Sequence, residues 1–359
     1  MSPQIQKTRP RAVAEGGVRR GLGVEGLFEQ PGEGWGAIMK RIAVLGSGGD
    51  APGMNACVRA VVRSSVHRDL EVMGVRDGYS GLIAGELHLL SRHDVSNIIQ
   101  RGGIFLGAGR SPEFMTSEGR AKAAAALREH GVDGLVALGG DGTLRGAIAL
   151  NGEWGTPVVV VPCTIDNDAP GTDLAVGFDT AVNTALEAVD RIRDTAEATE
   201  RVFFVEVMGR DCGSIALEVG IAGGADAILV PEVTLDRQDL LGHLNRAIAR
   251  HSRSLIVVVA EGEVAGGAFA IAERLRPLLQ RESRVTVLGH IQRGGSPTGA
   301  DRVLATRLSV AAVEALVEGR GSCLVGQWGR EVRCTPFAEL KTETKKAPLA
   351  LLELIDDLS

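Results

Sequence analysis

The sequence predicts an α/β protein in which mainly parallel sheets are covered by helices. Two patterns support this fold class: short apolar runs alternate with stretches of helical periodicity, and the apolar runs are nearly continuous. Strands that are buried on both faces have this composition, and alternation of strands and helices favours parallel sheets. A length of 359 residues is sufficient for two domains of ordinary size.

The predicted elements begin near residue 40 and continue through most of the chain. Helices are predicted at about 54–67 and at 181–196, where apolar residues recur with the period of an α-helix. Residues 348–358 are predicted to form an amphipathic helix at the carboxyl end. The predicted strands are residues 42–45, 135–138, 158–161, 202–207, 228–230, 255–260 and 285–288.

The composition argues against several classes of protein. A net charge of −6 does not suit a nucleic-acid-binding protein with a broad basic surface. No apolar run reaches the roughly 18 residues that a membrane-spanning helix needs, so no membrane partner is expected. The cysteines are odd in number and form no CxxC pair, which predicts reduced thiols in a cytoplasmic protein. They are Cys57, Cys163, Cys212, Cys323 and Cys334.

Residues 1–38 differ from the rest of the chain. They contain eight glycines and five Lys or Arg residues with little periodicity, and they lack the apolar region of a signal peptide. We therefore predict that this extension is disordered. Met39 directly precedes the first clear strand and is a candidate for the natural start of the protein.

Three polar loops each follow a predicted strand, at the end where open α/β sheets bind their ligands. The first two loops, residues 46–50 and 139–143, both contain Gly-Gly-Asp. Small residues let the backbone approach a phosphate, and the N-terminus of the following helix favours its negative charge. The alternative is a tight turn in which the aspartate caps the helix. No GxxxxGK[ST] sequence is present, so the chain is not a P-loop enzyme.

The third loop, residues 162–168, contains two acidic residues that are two positions apart. Asp166 and Asp168 share a face if this segment is extended. One carboxylate would accept a proton while the other binds metal or orients the substrate. The alternative is an Asx turn around Asn167 that has a structural role alone.

Four arginines beside apolar strands or in glycine-rich segments are candidates for binding phosphate. A guanidinium forms paired hydrogen bonds with phosphate and keeps its proton, whereas the alternative for each is a solvated surface position. His290 lies three residues before the last of these arginines and is a further candidate. The four are Arg201, Arg210, Arg284 and Arg293.

Five short segments occur in order along the chain: GGDAPGMN at 48–55, GGDGT at 139–143, TIDND at 164–168, EVMGR at 206–210 and GHIQRGGS at 289–296. Together they resemble the bacterial ATP-dependent 6-phosphofructokinase family, and the resemblance extends over roughly residues 39–325. It implies the phosphofructokinase fold, with two Rossmann-like domains. A larger nucleotide-binding domain would comprise residues 39–177 and about 290–340, and a smaller sugar-phosphate-binding domain about 178–289 and 341–359.

The resemblance implies transfer of the γ-phosphoryl of ATP to the 1-hydroxyl of fructose 6-phosphate, with Mg²⁺ as the cofactor. Asp166 would be the general base, with Thr164 and Arg210 as further catalytic residues, and Asp141 would be associated with the metal. Nucleotide contacts are implied for Gly49, Arg110, Ser111, Gly140, Asp141, Gly142 and Thr143. Contacts with the sugar phosphate are implied for Thr164, Asp166, Asp168, Arg201, Met208, Gly209, Arg210, Glu261, Arg284, His290 and Arg293.

The resemblance also implies a cytoplasmic homotetramer that acts in glycolysis, in which Arg201 and Arg284 reach into a neighbouring subunit's site. An effector site for ADP or phosphoenolpyruvate is implied in an altered form, since Asp226 replaces the usual glutamate and Ser252 a usual lysine. The residues of this site would be Arg59, Arg63, Arg92, Arg193, Gly224, Asp226 and Arg250.

Two positions bear on the phosphoryl donor. Gly142 matches the ATP-dependent members, whereas an aspartate there would obstruct the α-phosphate of a nucleotide. Cys163 matches neither the glycine of ATP users nor the lysine of pyrophosphate users, and it adds no cation, so we expect ATP. The alternatives are a pyrophosphate-dependent phosphofructokinase, a non-catalytic sugar-phosphate sensor on the same fold, and a dinucleotide-binding oxidoreductase, because residues 46–51 fit G-x-G-x-x-A.

Overall fold

A computed structural model describes residues 39–233, 237–249, 253–263, 266–341 and 343–352. The extension that we predict to be disordered, residues 1–38, and Arg250 of the predicted effector site lie outside the described residues. The described residues belong to one compact unit that begins at Ala37.

Strands and helices alternate along most of the described chain. In chain order the strands are β1 (Arg41–Gly46), β2 (Glu71–Val75), β3 (Leu87–Leu90), β4 (Gly134–Gly139), β5 (Val158–Pro162), β6 (Val202–Val207), β7 (Ala227–Leu229), β8 (Leu255–Ala260), β9 (Ser283–Val287), β10 (Cys323–Trp328) and β11 (Glu331–Pro336). The helices are α1 (Met54–His67), α2 (Gly78–Ala84), α3 (Ser117–Glu129), α4 (Asp141–Trp154), α5 (Phe178–Thr199), α6 (Ser214–Ala222), α7 (Arg237–Ala249), α8 (Gly267–Leu275) and α9 (Gly299–Val317).

The described strands form two sheets. One has seven strands in the order β11-β10-β5-β4-β1-β2-β3, and the other has four in the order β7-β8-β6-β9. Neighbouring strands are parallel except at the edges of the larger sheet, where β2 pairs with β3 and β10 with β11 in antiparallel orientation. The predicted class, α/β with mainly parallel sheets covered by helices, is confirmed.

Alternate residues of each central strand lie on opposite faces of the sheet and pack in different hydrophobic cores. In β4, Val136 and Leu138 belong to a continuous core that includes one face of each sheet and helices α1, α5, α6 and α9. Leu135 and Ala137 instead pack with α2, α3 and α4 on the other face of the larger sheet. On the smaller sheet, Phe204 belongs to a third core, with α7 and α8. Burial on both faces explains why these strands are nearly continuous apolar runs.

The predicted strands and the long helices agree with the structure to within a few residues, but β2, β3, β10 and β11 were not predicted. These strands form or adjoin the edges of the seven-stranded sheet. The edge strands β3 and β11 keep exposed residues, so their composition is mixed and their apolar signal is weak. In β11, for example, each residue is exposed or only partly buried. Strands β2 and β10 are mostly buried, but a glycine interrupts each short apolar run.

The expectation that all five cysteines are reduced is wrong, because Cys323 and Cys334 form a disulfide with their Cα atoms 5.9 Å apart. The antiparallel register of β10 and β11 pairs Val325 with Cys334, which places Cys323 two residues away on the same strand face. The hairpin brings Cys323 and Cys334 together, and the number of cysteines in the sequence does not reveal this pairing. The remaining thiols, Cys57, Cys163 and Cys212, are free and buried.

The carboxyl end is only partly described. A short 3₁₀ helix at Leu349–Leu352 occupies the start of the predicted helix 348–358, and the rest of that prediction lies outside the described residues. Among the helices of the described chain, none combines the length and the apolar character that crossing a membrane requires.

Candidate active site

The three polar loops line one cavity of about 520 Å³. They follow β1, β4 and β5, which are adjacent and parallel, so their carboxyl ends meet at one edge of the sheet. Arg210 and Arg293, which follow β6 and β9 of the smaller sheet, also line this cavity. The lining further includes the predicted residues Gly49, Arg110, Ser111, Gly140, Asp141, Gly142, Thr143, Thr164, Asp166 and Asp168.

Backbone hydrogen bonds hold the two glycine-rich loops against each other. Ser47 N donates to Leu138 O at 2.9 Å, and the Thr143 hydroxyl donates to Ser47 O at 3.0 Å. A Cβ atom on Gly139 would collide with the Thr143 hydroxyl and with Ser47 O, so only glycine permits this approach. Gly48 N donates to Gly109 O at 3.1 Å, which brings the segment before Arg110 to the same place. These contacts fix the positions of the two loops relative to each other.

Asp141 does not cap a helix, so the capping alternative for the second loop is wrong. Gly140 occupies the N-cap position of α4 without a side-chain cap, and Asp141 is the first helical residue. The Asp141 carboxylate, 19% exposed, lies 2.8 Å from the guanidinium of Arg145, which is largely exposed. A Cβ atom on Gly142 would meet no atom within 4 Å, so this position faces open space in the cavity wall.

Asp166 is the most unusual carboxylate in the cavity. Its side chain is only 4% exposed, and its Oδ2 lies 3.5 Å from Arg210 Nε. Its Oδ1 is buried and has no hydrogen-bond partner among the described residues. Burial, with a smaller contribution from Asp168, raises the pKa of Asp166 to about 6, although Arg210 and Arg293 oppose this. A carboxylate with this pKa and an unused oxygen is suited to accept a proton near neutral pH.

The backbone around Asn167 fixes the two acids. Asn167 has a positive φ of 52°, which asparagine tolerates better than most residues. Its side-chain oxygen accepts a hydrogen bond from Ala175 N at 2.9 Å and its amide donates to Asp173 O at 3.1 Å. The partner of this oxygen is eight residues away, so Asn167 ties the loop together and does not form the local Asx turn of the alternative. Burial also raises the pKa of Asp168.

Thr164 connects the two acids of the loop. Its hydroxyl accepts a hydrogen bond from Asp166 N at 3.2 Å and donates to Asp168 Oδ1 at 3.4 Å. Because the hydroxyl lies between the backbone of one acid and the carboxylate of the other, it fixes their relative orientation.

Arg210 lines the cavity from the loop after β6, and the backbone of this loop packs closely against Gly262. Its φ is 51°, and its N–H donates to Glu261 Oε1 at 2.9 Å. A Cβ atom on Gly262 would collide with Arg210 O, so glycine is required at that position. Two residues earlier, Met208 N donates to the buried Gln292 Oε1 at 2.9 Å. The loop that carries Arg210 is thus held by residues from two other segments.

Arg293 lies at the end of the short 3₁₀ helix Gly289–Arg293. One guanidinium nitrogen donates to Asp50 O at 3.3 Å, whereas its buried Nε has no hydrogen-bond partner among the described residues. A Cβ atom on Gly49 would collide with this guanidinium. His290, in the same 3₁₀ helix, is exposed and is absent from the cavity lining.

Arg201 and Arg284 lie at the opposite end of the smaller sheet. Arg201 Nε is 2.7 Å from Glu282 Oε2, and the same carboxylate pairs with Arg284. Both arginines lie at the amino ends of β6 and β9, whereas Met208 and Gly209 follow the carboxyl end of β6. A strand of this length spans about 20 Å at ~3.3 Å per residue, so the two arginines cannot reach the cavity of their own chain.

The predicted effector residues come from several segments of the chain. Arg193 donates to Gly224 O at 2.7 Å, and Asp226 accepts a hydrogen bond from Ile256 N at 2.8 Å. Arg59 and Arg63 are one turn apart on α1, where burial and the charge of Arg63 lower the pKa of Arg59. Arg92 is exposed in the segment after β3.

An aromatic wall of the cavity was missed by the sequence analysis. The rings of Tyr79 and Phe114 stack with their centroids 3.8 Å apart, and both residues line the cavity together with Met115. The Tyr79 hydroxyl donates to Thr143 O at 3.0 Å, which connects this wall to the second glycine-rich loop. No linear motif marks these residues, although Tyr79 is the single tyrosine in the chain.

Cys163, directly before Thr164, is a neutral part of the wall. Its sulfur lies 3.7 Å from that of Cys57, and burial raises its pKa well above the usual value for a thiol. The thiol is therefore protonated and adds no charge to the cavity.

The fold and this site together define an α/β protein with a glycine-rich, arginine-lined cavity to which loops of both sheets contribute. The family model for phosphofructokinase matches residues 41–316. The chain is 58% identical over 316 residues to an ATP-dependent 6-phosphofructokinase 1 of Thermus thermophilus, covering 88% of this chain and 98% of that protein. It is 50% identical over 321 residues to an ATP-dependent 6-phosphofructokinase of Bacillus licheniformis, covering 89% of this chain and all of that protein. The chain belongs to the phosphofructokinase family.

Solved structures agree with this assignment. The phosphofructokinase of Saccharomyces cerevisiae superposes with a TM-score of 0.80 at 36% identity, over 89% of this chain and 46% of the yeast chain. A pyrophosphate-dependent phosphofructokinase of Marinobacter aquaeolei superposes with a TM-score of 0.76 at 24% identity, over 87% of this chain and 86% of that chain. The second similarity shows the shared fold alone.

Proposed function

We propose that this chain is a phosphotransferase that moves the γ-phosphoryl of ATP to the 1-hydroxyl of fructose 6-phosphate, which gives fructose 1,6-bisphosphate and ADP. Curated relatives that carry this activity in their names are 50–58% identical over nearly their whole length, which supports the proposal. The observation that carries it is the buried Asp166, whose raised pKa and unused oxygen lie beside Arg210 in the cavity of the glycine-rich loops.

Asp166 would accept the proton of the sugar hydroxyl as that oxygen attacks phosphorus. A pKa of about 6 leaves the carboxylate ionised at neutral pH, while its basicity is greater than that of an exposed aspartate. Thr164 and Asn167 would keep the acceptor oxygen in place through the hydrogen bonds described above. Asp168, buried beside it, would orient the sugar.

Arg210 and Arg293 would stabilise the negative charge of the reactants. Phosphoryl transfer depends mainly on positioning and charge neutralisation, and guanidinium groups supply both. The Nε of Arg293, which has no partner in the part of the chain that the structure describes, is a donor that a phosphate oxygen could satisfy. Met208, Gly209, Glu261 and His290 would complete the sugar-phosphate site around them.

The residues present fit Mg²⁺ that is bound jointly with the nucleotide. Asp141 offers a hard oxygen ligand on the cavity wall, and its present partner, Arg145, is an exposed side chain that can move away. In the described part of the chain, no group of three or more His, Cys, Asp or Glu residues is arranged to hold a metal by itself. Mg²⁺ commonly uses one or two carboxylates and the substrate phosphates. When bound, it would neutralise charge on the phosphates.

ATP would bind along the first two loops and the aromatic wall. The backbone of Gly49 and of Gly140 to Thr143 can approach phosphate oxygens, and Arg110 and Ser111 line the same cavity. The stacked rings of Tyr79 and Phe114 are almost fully buried and would support this wall, while the exposed Met115 offers an apolar surface to a nucleoside. Gly142 leaves room for the α-phosphate, and the neutral Cys163 brings no cation for pyrophosphate.

We further propose that the active form is a cytoplasmic homotetramer in which Arg201 and Arg284 serve a neighbouring subunit's site. Their location at the far end of β6 and β9 supports this arrangement. The division into a larger nucleotide-binding and a smaller sugar-phosphate-binding domain, at the boundaries given above, belongs to the same proposal. ADP or phosphoenolpyruvate would act at the effector residues, and kinetics that stay constant across phosphoenolpyruvate concentrations would contradict such regulation.

A coupled assay for fructose 1,6-bisphosphate tests the proposed function. The purified chain is supplied with fructose 6-phosphate and Mg²⁺, and with either ATP or pyrophosphate. We expect product with ATP and none with pyrophosphate. Product with pyrophosphate alone would identify the other donor, and no product with either donor would favour a sensor.

A further inference from the structure

The segment 343–347, near the carboxyl end, contacts the loop that carries Asp166. The backbone N–H of Lys345 donates to Asp168 O at 2.9 Å. Its ammonium group donates to Thr172 O at 3.0 Å and to Asp173 O at 2.7 Å. Lys345 thus binds the segment between β5 and α5 at two places, Asp168 and residues 172–173, with three hydrogen bonds.

The ammonium shares an acceptor with Asn167, because Asp173 O also accepts the side-chain amide of Asn167 at 3.1 Å. Asn167 is the residue with positive φ between Asp166 and Asp168. A hydrogen bond that fixes Asp173 therefore also fixes the backbone between the two acids. Burial lowers the pKa of Lys345, which indicates that its charge is held in a place where solvation is poor.

The same segment also reaches the loop that carries Arg210. Ala347 N donates to Glu232 Oε1 at 3.0 Å, and the Glu232 carboxylate accepts a second hydrogen bond from Gly213 N at 3.0 Å. Gly213 lies three residues after Arg210. Residues 345–347 therefore connect a loop of the seven-stranded sheet with a loop of the four-stranded sheet.

We propose that Lys345 is a positioning residue for phosphoryl transfer, which holds the 166–173 loop so that Asp166 faces Arg210. The inference rests on the proposed function, because it assumes that Asp166 is the base. Lys345 acts through this loop, and its ammonium nitrogen bonds to backbone oxygens of the loop.

The substitution Lys345→Met retains a long unbranched side chain, one atom shorter, but removes the ammonium donors. We expect kcat to fall by about 10- to 100-fold, the effect of a small misplacement of a catalytic group. KM for ATP should stay unchanged, because the hydrogen bonds that hold the glycine-rich loops do not include Lys345. Lys345→Arg retains donors and should recover part of the lost kcat. The control is Lys346→Met, at the exposed neighbouring lysine, which should leave kcat unchanged.

Hydrogen exchange supplies a readout that does not depend on activity. In Lys345→Met, amides of residues 166–175 should exchange faster than in Lys346→Met, while amides of β4 and α4 keep their protection. An equal kcat in the two variants, or faster exchange throughout the chain with a lowered melting temperature, would overturn the inference. If the unsubstituted chain makes no fructose 1,6-bisphosphate, the proposed function fails, and the exchange pattern still decides whether Lys345 holds the loop.

Discussion

At the scale of single residues, the site combines groups that are unfavourable for folding and useful for chemistry. Asp166 is buried, and one of its oxygens has no hydrogen-bond partner within the described part of the chain. Arg210 adopts a positive φ that a non-glycine residue rarely takes. Such features persist when the surrounding structure enforces them, and they concentrate at functional sites. Asn167 and Glu261 supply this enforcement through their hydrogen bonds.

Replacing the base tests its role directly. Asp166→Ser removes the proton acceptor, so we expect turnover to fall by about 10²- to 10⁴-fold, the usual contribution of a general base. Affinity for fructose 6-phosphate should change little, because the arginines that we propose to bind its phosphate remain. The control is Asp194→Ser on the exposed face of α5. Steady-state kinetics decide, and near-normal turnover in the Asp166 variant would remove this residue from the mechanism.

The Asp166 carboxylate should also lower the free energy of unfolding of the protein. Its pKa is raised to about 6 in the folded protein, so the folded state binds the proton more tightly than the unfolded state. Asp166 therefore destabilises the fold progressively as the pH rises from about 4 to about 7, by roughly 2–3 kcal/mol. Asp166→Asn should be more stable than the unsubstituted protein near pH 8. Denaturant titrations at several pH values measure this, and a pH-independent difference would contradict the burial of the charge.

At the scale of elements, the cavity is formed where the first residues of helices meet the ends of strands. The β4–α4 junction places Gly140, Asp141 and Gly142 around the predicted phosphate position without any side-chain cap. On the other side, Gln292 joins the Arg210 loop to α5, because its amide donates to Ala181 O at 3.3 Å while its oxygen accepts from Met208 N.

The start of α4 provides a test of donor choice. In Gly142→Asp the new side chain has free space, so the fold should be retained. Its charge would lie near the nucleotide phosphates, and like-charge repulsion should lower kcat/KM for ATP by about 10- to 1000-fold. The control Gly142→Ala fits the same space and should keep ATP use, with unchanged or slightly higher stability. Equal kinetics for the two variants would place the phosphates elsewhere.

Gln292 provides a test of how the Arg210 loop is held. Gln292→Leu leaves the buried Met208 N without its partner and removes the additional hydrogen bond to Ala181 O, so we expect the free energy of unfolding to fall by about 1–3 kcal/mol. The exposed Gln280→Leu should change it by less than about 0.5 kcal/mol. Chemical denaturation of both variants measures the difference. A stable Gln292 variant would mean that the loop keeps its position by other contacts.

At the scale of the whole molecule, one chain places the four arginines that we predict to bind phosphate at two distant ends of the smaller sheet. Arg210 and Arg293 line the cavity, whereas Arg201 and Arg284 lie at the amino ends of β6 and β9. An active site shared between two subunits would combine Arg210 and Arg293 of one chain with Arg201 and Arg284 of the other.

Mixed oligomers test this arrangement. A chain with Asp166→Ser and a chain with both Arg201→Ala and Arg284→Ala should each be nearly inactive alone. Co-expressed, they should form sites in which an intact Asp166 from one chain meets intact arginines from the other, so activity should exceed the sum of the separate chains. Light scattering checks that the species is a tetramer. No gain in a confirmed mixed tetramer would show that each chain completes its own site.

Much of the fold could be predicted because the central strands are buried on both faces, and such strands are visible as continuous apolar runs. The edge strands β3 and β11 were missed because exposed residues make their composition mixed. Strands β2 and β10 were missed because a glycine interrupts each short apolar run. The site could be predicted where loops follow strands, as at Asp141 and Asp166. Tyr79 and Lys345 were missed because they come from distant segments without a motif.

By itself, the sequence determined the fold class, the family and the loops that form the cavity, because these depend on local periodicity and on short motifs. Tertiary structure decided which groups meet: the Asp166–Arg210 pair, the Cys323–Cys334 disulfide and the separation of Arg201 from the cavity. Each of these joins or separates residues through the packing of whole strands and helices. The energy of a buried charge also depends on everything packed around it, which no linear pattern contains.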